Sequence, residues 1–421
     1  MTAPAPRTGR MLAPDFARGL TLLGIAGANI TTTWANVSDA PLGKLMGGVV
    51  DDSVWDKIAI MVGAVLFHVR GLPMFATMLG FGVGLISLSL YRRGYPLSEA
   101  RKKLMKRYGY LALFGLVHCV FMFHGDIMLT YGVLAIILAL CLTLKDKTLL
   151  IIAAVLFALN ALAMTGLGIL AVVFGNSEIM GQAMSGNSGI GASFGSFDTG
   201  SYLGQLIVGG ITAVALPFSL PMAIPMIGPL MIVGFVAARR GVLWDVDKHR
   251  RMLVWWAVIS VIVMLGMGVP LGLSGIGVLP TSWEPGLFLI NSGVGVLTGP
   301  GIVAMIALAV QRLQRAVSNG GQVPEPLVAI QALGKRSMSG YVFQSVAFMI
   351  FVMPYGLGLG QGLGAAETTG IAVVVWLVSV VGAYGLERAG KRGPLEALHR
   401  RLSYGPSGSL GTYQQPAGAQ S

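Results

Sequence analysis

Residues 101–147 read RKKLMKRYGYLALFGLVHCVFMFHGDIMLTYGVLAIILALCLTLKDK, and this stretch decides the fold. A basic cluster opens it, an apolar run follows, the short polar turn His124-Gly125-Asp126 interrupts, a second apolar run returns, and a basic pair closes it. An apolar run of roughly 20 residues crosses a ~30 Å hydrocarbon core as helix. Lysine and arginine collect on the cytoplasmic side. The stretch therefore reads as a transmembrane hairpin with cytoplasmic ends and an outer turn. The same alternation runs through the whole chain. Of its 29 Lys and Arg residues, 26 fall within 1–18, 91–107, 145–147, 239–251, 312–336 and 387–402; only Lys44, Lys57 and Arg70 lie elsewhere. This sorting gives an all-α integral membrane protein of about ten transmembrane helices. The expected spans are roughly 17–35, 71–91, 108–124, 127–144, 148–174, 217–238, 252–270, 286–311, 337–356 and 368–386, with both termini cytoplasmic.

Composition agrees. The chain is 54% hydrophobic and 11% charged, with mean hydropathy +0.75, whereas a soluble domain carries about 25% charged residues. Most of the surface must face lipid, and the 60 glycines suit helices that approach closely. A net charge of +12 would suit nucleic acid, but it sits in the cytoplasmic loops, where orientation accounts for it. The expected partners are membrane lipids and not nucleic acid. Cys119 and Cys141 stand towards opposite ends of consecutive apolar runs and suggest neither a disulfide nor a metal site. Residues 1–402 read as one polytopic domain, opening with an uncleaved first span. Residues 403–421 read as a disordered cytoplasmic tail. Residues 53–70 (SVWDKIAIMVGAVLFHVR) are amphipathic and too short to span separately, which suggests an outer interfacial helix. Residues 201–238 hold Pro217, Pro221, Pro225 and Pro229 and read as a kinked or broken helix, in one membrane segment or two. The Gly- and Ser-rich outer loop 175–200 could serve as a lid.

Ionisable side chains near spans are costly and so are functional candidates. His118 and Asp126 bracket the outer turn, and a tight hairpin brings them together. Such a pair fixes the imidazole tautomer and raises its basicity, which suits a general base. The plainer readings are an N-cap for Asp126 and a hydrogen-bonded core residue for His118. His124 reads as a turn residue. Arg70, with His68 two residues before it, either snorkels or holds an anion or a carboxylate partner. Asp15 and Arg18 can pair at i,i+3 at the inner end of span one. Asn29 lies ~16 Å further along that helix, as helix–helix glue or a substrate contact. The densest basic cluster, Arg92 to Arg107, either anchors the protein or binds coenzyme phosphates. Gly80, Gly82 and Gly84 read as packing residues. The few polar groups are expected to share a pocket opening away from the cytosol.

Five motifs combine across nearly the whole chain. They are Arg10-x4-Asp15-x2-Arg18-Gly19 with Leu22–Ile25 and Asn29; Arg70 followed by GLPMFATMLGFGVG; GLVH-x5-HGDIMLTYG, which contains Tyr131; GKRSMSGYVFQS from Gly334 to Ser345; and GPLEALHRRLSYG from Gly393 to Gly405. Together they resemble the YeiB family of bacterial inner-membrane proteins. That family resembles, more remotely, membrane acyltransferases such as heparan-α-glucosaminide N-acetyltransferase, which shares the pattern matched here by Arg10, Asp15, Arg18, Gly19 and Asn29. The resemblance implies a multi-pass protein of the bacterial inner membrane that moves an acyl group from cytoplasmic acyl-CoA to an extracytoplasmic sugar, lipid or cell-envelope glycan or glycolipid. In the acetyltransferase the catalytic histidine follows span one. The corresponding segment here, Trp34–Asp56, has no histidine. Either another histidine serves, His118 first, or the chain is not an acyltransferase.

On that expectation His118 and Asp126 are catalytic. Asn29, Arg70, His68 and Tyr131 bind substrate, and Asp15 and Arg18 serve structure or the donor side. No metal is required, and the oligomeric state, a homo-oligomer included, stays open. The alternative is a transporter or flippase for a small solute or lipid-linked intermediate, because proline-broken helices and intramembrane polar groups also suit a midplane site.

Overall fold

The computed structural model describes residues 11–35, 42–174 and 200–413. Among these residues the chain is helical, with no strand. Helices run α1 (Leu12–Asn29, extended by a π turn Ile30–Trp34), α2 (Val54–Leu66), α3 (Gly71–Arg92), α4 (Leu97–Phe121), α5 (Met128–Leu140), α6 (Asp146–Phe174), α7 (Tyr202–Arg239) and α8 (Arg250–Gly275). They continue as α9 (Glu284–Val294), α10 (Thr298–Ala309), α11 (Gln311–Ser318), α12 (Glu325–Lys335), α13 (Ser337–Phe351), α14 (Ala365–Arg388) and α15 (Pro394–Tyr404). Six stretches are long and apolar enough to cross a membrane: Val54–Arg92, Asp146–Phe174, Tyr202–Arg239, Arg250–Gly275, Thr281–Ala309 and Ala365–Arg388. Helices α5 and α13 are apolar but shorter. Exposed aliphatic and aromatic residues such as Phe218, Ile262 and Val381 stud the outer faces, as lipid contact requires.

Small residues set the closest crossings. A Cβ at Gly80 would collide with the Met231 carbonyl, and one at Gly234 with the Thr77 carbonyl, so α3 and α7 touch backbone to backbone. Gly80 and Gly84 are packing residues, as read from the sequence, whereas Gly82 faces a cavity. Gly115 and Gly132 do the same for the α4–α5 hairpin, lying against Leu129 and Ala112 respectively. That tight crossing is what lets a side chain two turns inside α4 reach the start of α5.

Three features differ from the expectation. Helix α2 does not lie flat at an interface. Ile60, Met61 and Ala64 meet Gly275, Gly272 and Gly268 in turn, so α2 runs lengthwise along α8 into the bundle. With α3 it forms one interrupted 39-residue passage, broken at residues 67–70. Second, the four prolines do not break α7, which is continuous over 38 residues. At i,i+4 spacing each proline removes the donor for the carbonyl four residues back. Three of those four carbonyls belong to the prolines themselves, so the losses fall along one stripe. Third, the segment after Ser403 is seated rather than disordered as far as Tyr413. Tyr413 N donates to the Arg93 carbonyl and its ring packs 5.3 Å from that of Tyr95. The remainder of the expected tail, and the expected lid 175–200 apart from Gly200, lie outside the described residues.

Helix α15 is fastened to the start of α13. The Glu396 carboxylate accepts from Met338 N at 2.8 Å, Ser339 N at 3.1 Å and Ser339 Oγ at 2.5 Å. The acid therefore caps another helix's N-terminus, where the dipole favours an anion.

Candidate functional site

The turn between α4 and α5 delivers the expected pair. His118 Nδ1 lies 2.7 Å from Asp126 Oδ2. Asp126 Oδ1 also accepts from Leu129 N at 2.6 Å, so the carboxylate caps α5 and holds the imidazole at once. The two side chains are 2% and 0% exposed. A carboxylate can only accept, which places the imidazole proton on Nδ1 and leaves Nε2 as an acceptor. Facing Nε2, at 2.8 Å, is Ser345 Oγ on α13. The result is a buried Ser–His–Asp hydrogen-bond chain. In that arrangement the hydroxyl can hand its proton to the imidazole while the carboxylate steadies the ring. Ser345 closes the GKRSMSGYVFQS motif, but the sequence reading gave it no role.

Two connected chambers approach this chain from the basic end of the bundle. The inner one, of about 320 Å³, is walled by Leu22, Ile25, Phe75, Leu111, Met128 and Tyr131, and reaches Tyr341. The Tyr341 ring packs 4.9 Å from the His118 ring, so one aromatic side chain stands between chamber and imidazole. The outer chamber, about 460 Å³, carries seven basic and three acidic side chains. Arg18, Arg107, Lys335, Glu396 and His399 line both. Lys335 and Arg336 bind Glu387, and Arg107 donates to the Tyr404 hydroxyl at 3.2 Å. His399 is held well below its ordinary value, at about 4, because burial and then the Arg107 charge disfavour its protonated form. The expected pocket opening at the far end is not what the chambers form: their mouth is at the basic end.

The other sequence candidates separate. Tyr131 lines the inner chamber and donates to the Leu72 carbonyl at 2.8 Å. Arg18 lines both chambers and reaches the Met78 carbonyl at 3.3 Å, while Asp15, buried, lines the outer one. Of the basic cluster after α3, only Arg107 lines them. Asn29 is half-buried on α1 and lines neither chamber. His124 Nδ1 meets Gln205 Oε1 at 3.1 Å, a contact that ties the turn to the start of α7.

His68 and Arg70 sit elsewhere, in the break between α2 and α3. Arg70 Nε donates to Val65 O at 3.0 Å, and Nη1 donates to Val69 O at 3.1 Å and to Asn291 Oδ1 at 3.0 Å. Asn291 Nδ2 donates to His68 O at 3.4 Å. Opposite lies a second interruption, the 3-10 turn Gly295–Leu297 between α9 and α10, from which Thr298 Oγ1 reaches Val69 O at 3.3 Å. Asn291 was not singled out from sequence. Among the described residues no three His, Cys, Asp or Glu side chains gather as metal ligands.

Residues 237–406 match a family model described as Protein of unknown function (DUF418). Over 401 residues, 93% of each chain, the protein is 23% identical to Uncharacterized protein YxaH of Bacillus subtilis. The family match contains Asn291, Tyr341, Ser345 and Glu396. His118, Asp126 and Arg70 precede it, within a region that the longer pairwise similarity reaches.

Proposed function

We propose that this protein is a YeiB-like acyltransferase of the bacterial inner membrane, with ten spans and both termini cytoplasmic. It would take an acyl group from cytoplasmic acyl-CoA and pass it to an extracytoplasmic sugar, lipid or cell-envelope acceptor. The observation that carries this reading is the Ser345–His118–Asp126 chain one aromatic ring beyond an apolar chamber with a cationic mouth. In this topology the mouth faces the cytoplasm. A CoA thioester has the matching polarity, with anionic phosphates at one end and an apolar acyl arm at the other.

The chemistry follows from the hydrogen bonds. Tyr341 swings aside and Ser345 Oγ attacks the thioester carbonyl, while His118 Nε2 takes the hydroxyl proton. The C–S bond breaks, the imidazolium returns that proton to sulfur, and CoA leaves as the thiol. Asp126 stabilises the imidazolium and keeps the ring oriented. The acceptor hydroxyl or amine then attacks the acyl-serine, with its proton passing through His118 back to Ser345. The far side of the chain is closed by Trp34 stacked on Phe123 at 4.9 Å and beside Phe348 at 5.7 Å, so this aromatic plug must open for the acceptor. Asn29, on the same outer stretch of α1, would meet the acceptor there.

Purified protein is incubated with radiolabelled acetyl-, octanoyl- and palmitoyl-CoA, quenched, and assayed for covalent label and free CoA. The expected outcome is a hydroxylamine-labile acyl-serine, lost in Ser345→Ala. No label and no CoA release with any donor would refute the reading. A second reading, transport, is favoured by the two facing interruptions at Arg70 and Asn291. It predicts solute counterflow in proteoliposomes that hold no acyl donor.

A further inference from the structure

We infer that Arg70 holds a small monovalent anion, of halide or carboxylate class, inside the bundle. This inference is independent of acyl transfer. Arg70 is 1% exposed and is among the largest fully buried side chains. Its depth follows from its neighbours. Gly71 packs against Gly24, twelve residues along α1 from Leu12, or about 18 Å. Pro73 packs against Gly299. The guanidinium is therefore well inside the bundle, away from both ends.

Its partners do not neutralise it. A guanidinium has five N–H donors. The Val65 and Val69 carbonyls and Asn291 Oδ1 take three of them, and all three acceptors are uncharged. Nη2 is buried and has no hydrogen-bond partner among the described residues. The Val65 carbonyl is at the C-terminal end of α2, where the helix dipole favours a cation; that offsets only part of a unit charge. The carboxylate preceding Asn291 on α9 is Glu284, two turns away at about 10 Å, and it accepts from Leu45 N. Buried arginine without a counter-charge is strongly disfavoured, so a charge from outside the chain is the simplest completion.

The surroundings also fix the size. Gly295 stands where a Cβ would come within 2.8 Å of Arg70 Nη1 and 2.5 Å of Asn291 Oδ1, so the guanidinium is closely walled on that side and a small anion is the easier guest. Val69 is held at φ 59°, in the left-handed region that a β-branched residue rarely adopts. That conformation accompanies a Val69 carbonyl shared by Arg70 and Thr298. Strain of this kind persists where the surroundings over-determine it, often at ligand clamps.

The full chain is extracted and purified in bromide, desalted into sulfate buffer, and its bromide counted by X-ray fluorescence. In parallel the melting midpoint is followed over chloride and acetate titrations at fixed ionic strength. The expected result is close to one retained bromide per chain and a saturable rise of the midpoint. A response to chloride assigns the anion to free halide, and a response to acetate alone assigns it to a carboxylate ligand. Either response should vanish in Arg70→Gln. Because that variant could fail to fold, Asn291→Asp is the second arm. It places a carboxylate beside Nη1 and should give a folded protein whose midpoint ignores anions and which retains no bromide. Wild-type protein with neither retained bromide nor an anion-dependent midpoint overturns the proposal, as does a response that survives in Asn291→Asp.

Discussion

Replacing Asp126 with Asn separates a catalytic reading of the buried chain from a purely structural one. The swap preserves shape. The Asn oxygen can still accept from Leu129 N, now 2.6 Å from Asp126 Oδ1. The amide nitrogen then faces His118 Nδ1, at the 2.7 Å contact the carboxylate makes in the wild type. An amide nitrogen only donates, so the imidazole proton must move to Nε2. Ser345 Oγ can still accept from Nε2, but it can no longer pass its proton to the ring. Both imidazole hydrogen bonds survive with their direction reversed, and the bond from Leu129 N keeps its own. Stability should therefore fall by only about 1 kcal/mol, the difference between a charge-assisted and a neutral bond. Activity should fall about 10⁴-fold, the order seen when the same swap sets the wrong tautomer in a serine protease triad; that is about 5 kcal/mol of barrier. Asp126→Ala instead leaves two buried donors unpaired, at roughly 1–3 kcal/mol each, and should damage folding as well. The assay pairs CoA release from acyl-CoA with a thermal melt of the same detergent sample. An Asn variant that melts and turns over like wild type would refute the proton route through His118.

Three further outcomes are expected. The depressed His399 value means that the unfolded chain takes up a proton near pH 6.5 while the folded chain resists to about 4. The stabilisation is thus complete above pH 6.5 and lost as pH falls through that window, by about 3 kcal/mol; melting curves of His399→Gln should lack this slope, and an unchanged slope would discount the histidine. Gly234→Val drives a side chain into the Thr77 carbonyl and should destabilise the α3–α7 crossing by at least roughly 1–3 kcal/mol, read by the same melts. Gly82→Leu projects into the inner chamber, where the nearest atom to a new Cβ is Arg18 Nη2 at 3.3 Å; it should leave the melt nearly unchanged while raising KM for long-chain acyl-CoA more than for acetyl-CoA, and equal effects on both donors would argue against this chamber as the acyl site.

The sequence carried the His118–Asp126 pair because both ends of the contact lie in one hairpin, eight residues apart; the close crossing at Gly115 and Gly132 is seen only in the structure. It could not carry Ser345, which lies 227 residues from His118 and comes within reach only because α13 is held by α1, α14 and α15. The depth of Arg70 was not legible for a related reason. Charge sorting treats a lone outer arginine as a surface group, yet the α2–α3 break and Asn291 draw it inward, and neither has a local signature. Helix α7 shows the opposite case: four prolines argued for a kink or a break, and the helix is continuous, their even spacing confining the lost donors to one stripe. The helical, apolar character of the chain was legible, because a spanning segment must satisfy its backbone internally, and six stretches are long and apolar enough to cross a membrane.

The grip of Glu396 on Met338 and Ser339 makes α13 a crowbar. Its fulcrum is at α15, which packs outside the apolar spans and leaves Arg401 exposed. From Met338 to Ser345 the rod is seven residues, about 10 Å long. A tilt of about 5° at the fulcrum swings the far end by nearly ~1 Å, enough to stretch a 2.8 Å contact past hydrogen-bonding range. Crowding by anionic headgroups, or a protein leaning on that basic helix, would thereby throttle the serine from outside the membrane.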